Sequence, residues 1–218
     1  MAVDRHVTLV ATPDAEFVGI LVDEKNPVLA TVVHAVCVHL PDATHRAAWR
    51  VRHEGHLPPD GSGLGTSGAL VVCTVALLRA MAGLPFSRRE TFLLARKIER
   101  SYSGASGLDA AACTFGGALY YQPSDDDEGI QVTPLAHFPS RCYLTPSEGP
   151  RIGSGTAEIV DEERMRGIIQ RMSRHQSLST AELEAALSET HEIMRRSGLS
   201  TDAIEATRAR IGGASTMT

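Results

Sequence analysis

Cysteine is scarce in this chain: Cys37, Cys73, Cys113 and Cys142 are the only four in 218 residues, and no two stand in a CxxC spacing. That spacing offers no redox or metal pair, and a chain of this length can bury a core without disulfide staples. The apolar runs around the four residues predict buried thiols. Long hydrophobic runs are missing as well. No stretch reaches about 18 uncharged apolar residues, so no membrane-spanning helix is expected, and no apolar core of a secretory signal is seen near Met1. A basic excess is absent too. The 21 Lys+Arg stand against 26 Asp+Glu for a net charge of −5, which argues against a nucleic-acid partner. A cytoplasmic protein acting on small molecules is the expectation.

What is present is an ordinary globular composition, 43% hydrophobic and 22% charged, with 19 glycines that cluster rather than repeat. At roughly 150 residues per domain the length corresponds to about one and a half domains. Strands are expected at 6–10 and 17–22, separated by a turn signal at Pro13-Asp14, and at 47–53, where apolar and basic residues alternate. The run after Asn26-Pro27 reads as a buried helix to about Leu40. A second helix should run from Ser67 to Met81, with Leu70, Val71, Leu77 and Leu78 deeply buried. Ser87 and Glu90 have capping-box spacing for a third helix to about Arg100. A strand follows the double glycine at 116–117, then an acidic loop at 125–129 that reads as a solvated hairpin tip, then strands at 130–133 and 141–145. Beyond Pro150 the pattern is helical, at about 160–173, 179–197 and 200–211, with caps from Ser179 and from Ser200 near Asp202. The fold class is α+β. The domains are 1–150 and a helix-rich 151–218.

The densest signal is PPDGSGLGTSGAL at 58–70. Gly61, Gly63 and Gly65 alternate with Ser62, Leu64 and Thr66 directly before an apolar helix. Glycines let a backbone close around a ligand, and successive N–H groups before a helix make an anion cradle. Thr66 and Ser67 add hydroxyls. No lysine follows the glycines, so this is not a Walker A loop, and the spacing does not fit a dinucleotide fingerprint. A purely structural glycine turn is the other reading. The second signal is Ser106-Gly107-Leu108-Asp109 ahead of an apolar stretch. Asp109 reads either as a helix N-cap or as a functional carboxylate, and Glu99, ten residues earlier, reads either as a surface residue or as its partner. Two carboxylates beside a phosphate cradle suit phosphoryl transfer.

Taken together, these segments resemble the GHMP kinases (galactokinase, homoserine kinase, mevalonate kinase, phosphomevalonate kinase). Pro59, Gly63, Leu64, Gly65 and Ser67 match the family's PxxxGLGSSAA motif, with Thr66 in place of the first serine and Gly68 in place of an alanine. SGASGLDAAACTFGGALYY resembles the mevalonate kinase pattern around its aspartate, and HEIMRRSGLSTDAIEATRARIGGASTMT resembles the family's C-terminal helices. The resemblance implies an N-terminal domain like ribosomal protein S5 domain 2 and a partial ferredoxin-like C-terminal domain. It implies ATP, Mg²⁺ and a small hydroxylated metabolite as acceptor, and it is compatible with a homodimer. Carried onto this chain, Gly61, Ser62, Gly63, Leu64, Gly65, Thr66 and Ser67 would hold the triphosphate. Ser67 and Glu99 would hold the metal, and Asp109 would be the base.

The chain departs from the pattern in three ways. The step from Glu99 to Asp109 is one residue shorter than in mevalonate kinases. The family's first motif is expected ahead of Val3, and its last, a glycine-rich turn over the phosphates, is expected beyond Thr218. A truncated kinase and a catalytically inactive homologue that acts as a binding protein are both compatible with that pattern. Among substrates, the resemblance points first to a mevalonate kinase-like acceptor, then to a sugar or sugar phosphate.

Overall fold

The computed structural model describes residues 7–14, 19–22, 27–40, 48–55, 65–124, 126–135, 161–174 and 179–211. The chain divides into two compact units, Met1–Pro134 and Leu135–Thr218. The expected boundary near residue 150 lies outside the described residues, as do the expected strand at 141–145, the double glycine at 212–213 and Cys142.

In the first unit, β1 (Thr8–Pro13) and β2 (Gly19–Val22) flank β3 (Ala48–Glu54), antiparallel on the β1 side and parallel on the β2 side. The expected strand at 6–10 is therefore displaced toward Pro13. Pro13 pairs with Trp49 at the end of the ladder, a place where a missing N–H is tolerated. Asp14 reaches Arg50 at 2.8 Å. In β3 Val51 is fully buried while Arg50 and Arg52 face water, the alternation the sequence predicts.

Among the described residues, this unit also holds four helices, α1 (Pro27–Cys37), α2 (Thr66–Met81), α3 (Arg88–Ser103) and α4 (Leu108–Phe115). The hairpin β4 (Leu119–Gln122) with β5 (Gln131–Pro134) follows. α2 packs against α1, α3 and α4 and therefore buries residues around most of its circumference, including Leu70, Val71, Val75 and Leu78. Leu77 is only half-buried, contrary to expectation. The thiols are also more open than expected: Cys37 and Cys73 are half-buried and Cys113 is exposed. Ser87 accepts from the Glu90 N–H at the start of α3. The acidic hairpin tip is not simply solvated. Asp127 pairs with Arg96 at 3.3 Å, the Ser124 carbonyl accepts from Arg96, and the Asp127 carbonyl accepts from Arg89.

The second unit contains α5 (Glu162–Arg174), α6 (Thr180–Arg196) and α7 (Asp202–Ile211). Ile168, Ala186 and Ile193 form its small core. Ser179 and Glu182 make the expected capping box on α6. On α7 the capping hydroxyl is Thr201, which accepts from the Ile204 N–H, while Ser200 donates to Glu205. Glu205 also meets the buried His191 ring at 3.0 Å. Among the described residues, no helix is long and apolar enough to cross a membrane.

Candidate active site

Gly65 is the N-cap of α2, with φ 67°, and as a glycine it makes no side-chain cap for the N–H groups that follow it. The first turn of α2, Thr66-Ser67-Gly68, thus presents backbone donors at the positive end of a 16-residue helix. Thr66 Oγ1 is buried there without a hydrogen-bond partner among the described residues, and Ser67 is exposed. Gly61, Ser62, Gly63 and Leu64 lie outside the described residues.

Asp109 stands in the first turn of α4, but it is not the cap. That position belongs to Gly107, whose φ of 89° turns the chain out of α3 and into α4. The N-cap reading of Asp109 is thereby replaced: its side chain is exposed and lies against α2. A Cβ placed on Gly65 would be 3.4 Å from the Asp109 carboxyl carbon, and one on Gly68 would be 2.7 Å from Asp109 Cβ.

Glu99 is 3% exposed, which removes the surface-residue reading. It comes from the last turns of α3, and its carboxylate accepts from the Ala110 N–H in the first turn of α4. Its Oε1 is 3.0 Å from the position of a Cβ on Gly68. Burial first, and the neighbouring Asp109 charge second, raise its pKa to about 7 against the opposing Ala110 bond. The two carboxylates that sequence reasoning paired are therefore neighbours, converging on Gly68. The Cys113 thiol, one turn beyond Asp109, is pushed up to about 11 by loss of solvent and then by Asp109 and Glu99.

Sequence reasoning missed Arg96. Phe92, Ala95, Arg96 and Glu99 follow helical spacing and are all buried, so two charged residues occupy the apolar stripe of α3. That misplacement was the available signal. Arg96 packs under Gly107, where an added Cβ would be 2.6 Å from its Cγ. Tyr121 Oη donates to the Ser106 carbonyl at 2.7 Å. The turn that presents Asp109 is therefore held from below by α3 and β4.

A Thr66 hydroxyl without a partner among the described residues, the backbone donors at the start of α2 and two adjacent carboxylates form a polar set of donors and oxygen ligands. Such a set fits a phosphate chain with a hard divalent cation such as Mg²⁺.

Residues 30–117 match the family described as GHMP kinases N terminal domain. Mevalonate kinase of Pyrococcus abyssi is 31% identical over 140 residues, 64% of this chain and 39% of that protein. Phosphomevalonate kinase of Streptomyces sp. strain CL190 is 46% identical over 64 residues, 29% of this chain and 17% of that protein. The chain thus spans about two fifths of the length of the first of these curated relatives. Among solved structures, L. major mevalonate kinase in complex with R-mevalonate superposes with TM-score 0.66 at 19% identity, covering 94% of this chain and 71% of that one. Methanococcus jannaschii mevalonate kinase gives TM-score 0.64 at 11% identity, with 92% and 72% covered. At such identities these structures bear on the fold. Over residues 30–117 this chain is similar to the GHMP kinase N-terminal domain, and its relatives in sequence include proteins named mevalonate kinase and phosphomevalonate kinase.

Proposed function

We propose that this chain carries the nucleotide and catalytic half of an ATP-dependent kinase that phosphorylates a hydroxyl on a small metabolite, with a mevalonate-like acceptor first. The observation that carries this reading is the convergence of Glu99 and Asp109 on the first turn of α2. In this reading residues 1–150 are the S5-like ATP-binding domain and 151–218 part of a ferredoxin-like domain.

The roles follow from the chemistry of each group. The α2 N-terminus, with Gly61 to Ser67, holds the triphosphate through backbone N–H groups and hydroxyls. Asp109, which is exposed, takes the proton from the acceptor hydroxyl at its carboxylate oxygen. The freed oxygen forms a bond to the γ-phosphorus as the bridging oxygen–phosphorus bond breaks, and ADP leaves with that electron pair. Ser67 and Glu99 would hold Mg²⁺, which when bound supplies charge neutralisation on the phosphates. A cation beside Glu99 would also keep its buried carboxyl ionised.

The test is ADP release with mevalonate, phosphomevalonate, homoserine and a panel of sugars. Turnover with a mevalonate-like acceptor is expected, and Asp109→Asn should lower kcat by about 10²–10⁴-fold with ATP affinity little changed. Parent-like turnover in that variant would remove Asp109 from the mechanism. Nucleotide binding without turnover on any acceptor would favour a binding protein.

A further inference from the structure

Gly68 stands where the motif that this chain resembles carries an alanine. In the structure, Asp109 Cβ occupies space that a side chain at 68 would fill. A Cβ on Gly68 would lie 2.7 Å from Asp109 Cβ, 3.0 Å from Glu99 Oε1 and 3.3 Å from the Asp109 carbonyl carbon. The first of these is closer than real Cβ atoms approach, and the third involves backbone that cannot swing away. Gly65, three residues earlier, lies on the same side of the turn, but a Cβ there would make only ordinary contact with Asp109 at 3.4 Å. Gly68 is therefore the residue that controls the approach.

We infer that Gly68 is a positioning residue for Asp109: its missing side chain lets the α3–α4 connection seat the carboxylate against the first turn of α2. The inference rests on the reading of Asp109 as the base. An alanine at 68 would push α4 outward and move the Asp109 oxygens away from the end of the glycine loop. Misplacement of a reacting group by about 1 Å can cost on the order of 10²-fold in rate. Phosphate binding depends on α2 itself, which the substitution leaves helical. The loss should therefore fall on kcat and leave the KM for ATP nearly unchanged.

The test combines Gly68→Ala with two replacements at 109 in the full chain, followed by thermal melting. Asp109→Ala keeps the Cβ that collides, and Asp109→Gly removes it. The expected result is that Gly68→Ala lowers Tm by several degrees in the parent and in the Asp109→Ala background and by clearly less in the Asp109→Gly background, where only the contacts at 3.0 and 3.3 Å remain. If Gly68→Ala does not fold in the parent, it should fold once residue 109 is glycine. Equal losses in the two backgrounds, or no folded protein in any, would overturn the contact as the cause. In the parent, kcat should fall about 10²-fold with ATP KM little changed. A parent-like kcat in folded Gly68→Ala would overturn the positioning role. Absence of turnover in the parent itself would instead count against the functional reading, while the melting comparison would still decide the contact.

Discussion

A carboxylate buried at a helix start gains an N–H partner and loses water, and at Glu99 the loss of water dominates. Its pKa rises from 4.5 to about 7 because burial and Asp109 together outweigh the Ala110 bond. The folded state then holds a proton that the unfolded chain has already released between those two values. Stability from this group is fully present below about pH 4.5 and is lost as pH rises through 7, by roughly 3 kcal/mol in all. Urea denaturation without divalent cations should therefore show a downward slope from pH 5 to pH 8. Glu99→Gln, which keeps an acceptor for the Ala110 N–H, should flatten it. A parent slope that survives the substitution would assign it to other groups. The same two carboxylates act on Cys113. Although the residue is exposed, a thiol near 11 is about a thousandth ionised at pH 8, so iodoacetamide should modify it far more slowly than free cysteine. Asp109→Asn should speed that reaction, and an unchanged rate would show that Asp109 has no hold on the thiol.

Between elements, the acidic hairpin and α3 are joined by a pair of unequal partners. Arg96 is 5% exposed at its side chain and Asp127 is 63% exposed. Removing the exposed member leaves a buried cation with the Ser124 carbonyl but no counter-charge in this pair, whereas removing the buried one returns an anion to water, so the two losses should differ in size. Asp127→Ala is expected to cost roughly 1–3 kcal/mol in urea denaturation, and Arg96→Met, which refills the stripe beneath Gly107, less. The reverse order would mean that Arg96 matters chiefly through packing. Neither partner's role was legible in the sequence, because they lie 31 residues apart and meet only once the hairpin folds onto α3. Local signals fared better. The Ser87–Glu90 and Ser179–Glu182 spacings fix two helix starts within four residues of chain, so they could be read directly. Strand β1 was misplaced because Pro13 reads locally as a turn, and only its partner Trp49 keeps it in the ladder. In the site, Asp109, Glu99 and the first turn of α2 could be read as chemistry. That Glu99 accepts from the Ala110 N–H, and that Gly68 makes room for Asp109, depend on how three helices cross.

At the scale of the whole molecule, the described parts of the site all lie within the first unit, on α2, α3 and α4. The protein carries a net charge of −5, so its long-range field repels a nucleoside triphosphate. Attraction must come at short range, from the N–H groups and hydroxyls at the start of α2, where dipoles act within the first turn. Two consequences can be measured in the full chain. ATP with Mg²⁺ should raise Tm, with a stabilisation of about 2.7 kcal/mol when the ligand reaches a hundredfold its Kd. Calorimetric affinity should also weaken only slightly between low and moderate salt, since a short-range site has little distant attraction for ions to screen. Ser67→Ala should reduce both the heat and the Tm shift, whereas Asp109→Asn, assigned to the acceptor hydroxyl, should leave them near the parent. Well-folded protein that shows neither heat nor a shift at millimolar nucleotide would withdraw the phosphate cradle, and with it the kinase reading built upon it.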